Sequence, residues 1–304
     1  SRGLGDVYKR QVLDTATSLD RDALARALQT VLDRHDCLRL VLDTTGGEPA
    51  LLVRRAGAVL AEDVLAGSEH RAENDAAATG AAGHSGHCVE DHAEALVAEL
   101  DPRAGVVIRA AVVAVNAAQP VVAEQPTGDQ LVLVVHHLAV DAVSWQILTA
   151  DLECAYEAAV AGTLPETDDV PCSWRHAMDV MAARAGSDTV REDLPHWERV
   201  LRSGPAAPLG GRRLDPAVDT VATVRTADLE ITGDVARAVR ETAPEAYRMR
   251  PDEVVLAVVS LALARFDHAR GLPAAALRPV TVEGHGRDTL APGCDLSGTV
   301  GWFT

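Results

Sequence analysis

Apolar residues along this chain follow two rhythms. Over residues 20–34, DRDALARALQTVLDR, the residues Leu24, Ala27, Leu28, Val31 and Leu32 recur at spacings of three and four. That is the single apolar stripe of an amphipathic helix, and Asp20 stands where an N-cap is wanted. CLRLVLD follows and reads as a strand. So do VVIRAAVVAV at 106–115 and QLVLVV at 130–135, which are short apolar runs rich in β-branched residues. QPVVAEQPTGDQ joins the last two, and its Gly128-Asp129 pair predicts a turn. The next helix is expected to start with Ser144 as N-cap. It carries Ile147, Leu148, Leu152, Ala155 and Ala159 on one face and ends at Gly162.

The rest of the chain is patterned unevenly. Residues 61–92 are rich in Ala, Gly and acids and predict loop with a short helix. Residues 163–207 carry Pro, Trp and acidic clusters and predict a linking region. A second set then begins: strand TVATVRTADLEI, a helix near 233–241, a helix over 252–266 and strand RPVTVE. Within it, VVLAVVSLALA at 254–264 is too short to span a bilayer and reads as a buried helix. Strands and helices mix in both halves, which suggests two α/β lobes. A length of 304 residues can give each lobe its own core.

The expected organisation has three parts: a segment 1–11, an N-terminal lobe 12–175, and a linker with a partial C-terminal lobe 176–304. SRGLGDVYKRQ contains Lys9, the only lysine in the chain, and is expected to be non-native adapter sequence outside the fold. TVGWFT at the other end has neither helix stop nor polar tail, so the chain is expected to be a fragment truncated at both ends.

Charge and cysteine content narrow the function classes. The net charge of −17 disfavours nucleic-acid and anionic-membrane surfaces, which call for a basic field. Five dispersed cysteines with no CxxC suggest free thiols in a reducing, cytoplasmic compartment. His84, His87, Cys88 and His92 have spacings compatible with a metal, but their segment is loop-like and no metal centre is expected from it.

The chemistry concentrates in LVLVVHHLAVDAVSW at 131–145. A strand ending is where a rigid scaffold hands over to a functional loop. Alternation sends His136 and His137 to opposite sides, so one can hold the loop while the other faces a cavity. Histidine suits proton transfer near neutral pH. Adjacent histidines in an arbitrary protein are, however, more often structural. Asp141 could orient a ring or pair with an arginine, and capping accounts for Ser144.

HHLAVDAVS resembles the HHxxxDGxS motif of the condensation-domain superfamily of nonribosomal peptide synthetases, and RHDCLRL at 34–40 resembles its RHxxLR motif. VEGHGRD at 282–288 and DLSGTVGWFT at 295–304 resemble the EGHGR and TVGWFT motifs of epimerization domains. APEAYRMRPDEVVLA and the Trp145 that follows Ser144 fit the same subfamily. The motifs occur in the family's order over nearly the whole chain after residue 11.

The resemblance implies an α/β, chloramphenicol acetyltransferase-like fold. In it a two-lobed, V-shaped pseudo-dimer encloses a tunnel, and here the second lobe is incomplete. It implies epimerization at Cα of an aminoacyl or peptidyl thioester. The phosphopantetheine arm is supplied by a carrier protein, with no cofactor bound by the domain itself and neighbouring synthetase domains as partners. His137 and Glu283 match the catalytic positions, with Glu283 at the end of strand RPVTV. Asp141 matches a structural ion pair and is expected to meet Arg39. Gly284 and Gly286 are expected to permit a tight turn, His285 to be structural, and Arg287 to anchor the loop or meet phosphate. Ala142 replaces the family's glycine; if that position requires positive φ, alanine strains the loop, and if the glycine makes room for the arm, a methyl intrudes. The alternatives are a condensation domain forming a peptide bond, with His137 assisting amine attack, and an inactive module that docks the carrier.

Overall fold

The computed structural model describes residues 8–65, 89–113, 128–165, 169–202, 209, 212–271, 280–287 and 291–303. They fall into two compact units. One comprises Asp6–Val190 with Gly284–Thr304, the other Arg191–Glu283.

In the first unit, helix α1 (Arg21–Arg34) starts as its sequence predicts. The Asp20 carboxylate accepts the Ala23 N–H, and the buried stripe is Ala23, Leu24, Ala27, Leu28, Val31 and Leu32. CLRLVLD does not form one strand. Asp36–Arg39 is a 3-10 turn, and only Leu40–Asp43 is strand β2, paired antiparallel with β3 (Ala50–Val53). The turn is imposed by Arg39, whose guanidinium reaches back to the carbonyls ending α1.

The main sheet has strand order β1–β5–β4, all antiparallel: β1 (Tyr8–Asp14), β4 (Ile108–Val113) and β5 (Gln130–His136). Residues 114 and 115 of the expected strand lie outside the described residues. Residues 8–11, set apart from the fold by composition, are strand residues, with Tyr8 opposite His136 and Lys9 opposite Val135. Strand β5 is apolar without alternation because both its faces are covered. Leu131, Leu133 and Val135 enter the core shared with α1. Val132 and Val134 pack with Ala93 and Leu96 of helix α3 (Val89–Ala98). The turn before β5 closes on Asp129, whose carboxylate accepts the Leu19 N–H at 2.8 Å.

Helix α4 (Ala142–Ala161) follows β5, packs on α1, and ends at Gly162 with φ 69°. Its N-cap is Asp141, not Ser144, which sits three residues later and completes a reciprocal capping box. In residues 61–92, helix α2 (Ala61–Leu65) and the start of α3 are present. His84, His87 and Cys88 lie outside the described residues, and His92 is in α3. The expected linking region contains two helices, α5 (Trp174–Ala185) and α6 (Asp188–Arg202). Ser173 caps α5 through the His176 N–H, a start signal that the surrounding Pro and acidic clusters obscure.

The second unit departs further from expectation. It contains α7 (Gly233–Arg237), a π-helical turn (Ala238–Thr242), α8 (Ala243–Tyr247) and α9 (Pro251–Ala269). The strands expected over 220–231 and 278–283 are not formed in its described residues: 221–223 is a 3-10 turn, and 224–231 and 280–283 carry no pairing. A strand needs a ladder partner for its amides and carbonyls, and none is present among these residues. Helix α9 forms as expected but is not buried. Only Val254 and Asp267 are covered, and Leu261 is 66% exposed. Within its unit α9 packs on the π turn and α8, which is too little cover for a helix apolar on every side. Among the described residues no helix is long and apolar enough to cross a membrane.

The two units therefore differ in their response to truncation. Leu32→Ala, in a fully buried site of α1, is expected to cost about 2–5 kcal/mol in urea melts followed by circular dichroism. Leu261→Ala is expected to change stability by no more than about 0.5 kcal/mol. A large loss at Leu261 would contradict the exposure of α9.

Candidate active site

Strand β5 delivers His136 and His137 into a turn that ends at Asp141. His136 Nδ1 accepts the Leu138 N–H at 3.1 Å. Burial, and then the charge of His137, push its pKa down, favouring the neutral ring that such acceptance requires. His137 Nδ1 lies 2.9 Å from the Val140 carbonyl. A carbonyl only accepts, so Nδ1 carries the proton and Nε2 holds the lone pair of the neutral ring. The Trp302 ring lies 5.5 Å from the His137 ring, centroid to centroid, at a tilt of 52°. The two histidines thus make opposite uses of the same ring atom, both in support of the turn.

Behind them is a buried cluster. Arg287 grips Asp141 through two parallel contacts, Nη1 to Oδ2 at 2.6 Å and Nη2 to Oδ1 at 2.9 Å, with both side chains almost fully buried. Burial alone would raise the Asp141 pKa. The Arg287 bonds, together with the Ser144 N–H and hydroxyl, outweigh it and hold the carboxyl below its ordinary value. Arg287 also donates to the Thr299 carbonyl at 3.2 Å and has Phe303 against its face at 4.7 Å. Ser144 Oγ lies 2.8 Å from Asp141 Oδ1 and accepts the Gly301 N–H at 3.0 Å. Gly301 permits no larger residue, because an added Cβ would meet Trp174 Cδ1 at 2.1 Å.

Asp141 therefore pairs with Arg287 and not with Arg39. Arg39 is buried too, but it donates to the carbonyls of Leu32, Asp33, His35 and Arg54. Its five donors are better used at a helix end than on a carboxylate already taken. The rest of RHDCLR is equally structural. Arg34 Nε and His35 Nε2 both lie 2.8 Å from Asp151 Oδ2 on α4. Asp36 accepts the Trp174 and Arg175 N–H groups at the start of α5. Asp151, Asp36 and Gly301 were not marked by sequence reasoning; Asp36 fills a variable position of the RHxxLR stretch, Gly301 lies within TVGWFT, and Asp151 lies in neither.

Gly286 has φ 65°, as a tight turn requires, whereas Gly284 has no positive φ and faces open space. His285 Nδ1 accepts the Arg287 N–H at 3.3 Å, a structural use. With Val143, Arg287 and Leu296 it lines a cleft of about 350 Å³. Glu283 is the last residue of the second unit and is exposed, without strand structure. Ala142 opens α4, is exposed, and is not among the residues with positive φ, so it carries no backbone strain. Away from the histidine turn, Cys172, His176 and Cys294 converge.

The Condensation domain family matches residues 7–304 of this chain. A linear gramicidin synthase of Brevibacillus parabrevis is 30% identical over 301 residues, covering 96% of this chain and 4% of that protein. Surfactin synthase subunit 1 of Bacillus subtilis is 24% identical over 297 residues, covering 96% of this chain and 7% of that protein. The chain thus spans only a small part of the curated relatives it matches. Among solved structures, the epimerization domain from the third module of tyrocidine synthetase B superposes with a TM-score of 0.72 at 20% identity, covering 97% of this chain and 61% of that one. The first condensation domain of the calcium-dependent antibiotic synthetase gives 0.59 at 18%, covering 98% and 62%. The fold is the chloramphenicol acetyltransferase-like one of condensation and epimerization domains.

Asp141→Asn is expected to destabilise the chain by about 3–5 kcal/mol, because it strands a buried guanidinium. Asp141→Leu combined with Arg287→Met should cost much less than the two single losses added, in a double-mutant cycle by urea melts. The depressed Asp141 pKa stabilises fully above its unfolded value of about 3.9, and that share is lost as pH falls through the folded value. Asp141→Asn should accordingly flatten the acid limb of the stability profile. Ala142→Gly is expected to leave stability unchanged or to lower it by up to about 1 kcal/mol in thermal or urea melts; a gain in stability would reveal strain at this position.

Proposed function

This chain belongs to the condensation-domain family, and from that premise we propose that it epimerizes Cα of an aminoacyl or peptidyl thioester held on a carrier protein's phosphopantetheine arm, in nonribosomal peptide synthesis. The observation that carries the reading is the His137 ring. Its Nδ1 is committed to the Val140 carbonyl, which leaves Nε2 as a proton acceptor held by a rigid strand and turn. The EGHGR, VSW and TVGWF motifs favour epimerization over peptide-bond formation.

The chemistry is proton exchange at carbon. The thioester carbonyl acidifies the α-proton, because the carbanion delocalises as an enolate. One group removes that proton from one face, and a second returns a proton to the other. His137 and Glu283 form this acid/base pair, and the direction of reaction decides which removes and which donates. Hydrogen-bond donors toward the enolate oxygen would lower the barrier further. The phosphopantetheine arm arrives with the carrier, and the domain contributes no cofactor to this step. The partners are the carrier and neighbouring synthetase domains in the cytoplasm. The net charge of −17 gives no support to nucleic-acid or membrane partners.

Peptide-bond formation is the second reading, favoured by the family match itself. An inactive docking module is the third reading; Ala142 has no positive φ, which removes backbone strain as its argument and leaves the intrusion of the methyl on the arm.

With a carrier loaded with an amino acid in deuterated water, the chain is expected to promote deuterium uptake at Cα, read by mass spectrometry. His137→Ala and Glu283→Gln should each slow uptake by about 10²–10⁴-fold. Amide formation without α-exchange, indifferent to Glu283→Gln, would establish condensation instead. Carrier binding with neither reaction in the wild type would establish docking.

A further inference from the structure

Three thiophilic or imidazole ligands meet in the first unit at a place the proposed reaction does not use. Cys172 precedes α5, and His176 lies one helical turn further along, in the first turn of α5. Cys294 comes from the segment that ends in Gly301 and Phe303. One ligand atom from each residue lies within 4.8 Å of the others. We propose that Cys172, His176 and Cys294 form a zinc(II) site that staples the start of α5 to residues 291–303.

The chemistry of the donor set selects the ion. Two thiolates and an imidazole suit a soft, thiophilic dication and suit magnesium or calcium poorly. Tetrahedral zinc, with Zn–S of about 2.3 Å and Zn–N of about 2.0–2.1 Å, brings such ligand atoms to about 3.4–3.8 Å of one another. The cluster needs only a small contraction, and the exposed His176 ring is free to supply it. Three protein ligands leave a fourth position for water.

The surroundings also favour a cation. Asp36 and Asp295 both place negative charge on Cys172. Burial, and then the hydrogen bond with Cys294, push the Cys172 thiol up to about 12. The Cys172 thiol therefore enters protonated, and zinc binding displaces its proton to solvent. A metal here would act on the candidate active site at one remove. The Thr299 hydroxyl donates to the Cys172 carbonyl at 2.6 Å, the Thr299 carbonyl receives Arg287, and Gly301 meets Ser144. The staple would hold the segment that closes over the Asp141–Arg287 pair. This inference stands independently of the reaction catalysed.

The test uses cobalt(II), which reports thiolate ligation and four-coordination by its spectrum. One equivalent added to the reduced, metal-free full chain is expected to give a sulfur-to-cobalt charge-transfer band and intense visible bands. Zinc should abolish both and raise Tm. Cys294→Ser should lose the charge-transfer intensity of one thiolate, and Cys154→Ser should keep the whole spectrum. His176→Gln removes an exposed side chain and leaves the fold intact, so it carries the test if the cysteine variants fail to fold. It should shift the visible bands and abolish the zinc-dependent rise in Tm. A folded wild type that shows no charge-transfer band overturns the proposal. So does a spectrum unchanged in His176→Gln.

Discussion

The bidentate contact between Arg287 and Asp141 is the constraint on which the candidate site depends. Placing two opposite charges inside a protein is costly unless each remaining donor and lone pair is used. Here most of them are. Asp141 Oδ1 receives the Ser144 N–H as well as the guanidinium, and Arg287 directs further donors to backbone carbonyls. The pair is consequently weak as a source of stability and strong as a register. It can form only when the turn after β5, the first turn of α4, and Arg287 with residues 299–301 all occupy their places. Asp141 is at once N-cap, ion-pair partner and last residue of the histidine turn, so a shift in any of the three segments is felt at His137.

Charged side chains serve as clasps at a second place. Arg34 and His35 meet Asp151 on α4, Asp36 caps α5, and Arg39 gathers the carbonyls that end α1. Helix α4 is thereby held at its first turn by Asp141 and in its middle by Asp151. Strand β5 is held on both faces by apolar packing. The histidine turn hangs between these two elements, and its geometry is set by both. The role proposed for His137, receiving a proton in one defined direction, needs this kind of support.

Local pattern made α1, β5 and α4 legible: α1 and α4 each write one buried face into a helical period, and β5, covered on both faces, is an unbroken apolar run. The ion pair was not legible in the same way. Asp141 and Arg287 are 146 positions apart, and nothing local ranks Arg287 above Arg39, since each closes a family motif. The second unit misled for a different reason. TVATVRTADLEI and VVLAVVSLALA have strand and core composition, but pairing and burial are properties of what lies alongside. Among the described residues of that unit little does. The Cys172, His176 and Cys294 cluster is likewise assembled by the fold and has no motif to announce it.

The two adjacent histidines show how hydrogen bonding can separate residues of one type. His136 uses Nδ1 as an acceptor, toward the Leu138 N–H. Protonating that nitrogen would break the bond and set two donors against each other, so His136 must stay neutral for the turn to persist, and its lowered pKa agrees. His137 uses Nδ1 as a donor, toward the Val140 carbonyl. That bond exists whether the ring is neutral or positively charged, because Nδ1 keeps its proton in both forms. Nε2 can therefore gain and lose a proton with no reorientation of the ring and no change in the turn. A base that keeps its orientation through both protonation states incurs no reorganisation cost when it acts. Two residues that composition cannot tell apart are thus set apart by the backbone, which takes a lone pair from one Nδ1 and a proton from the other.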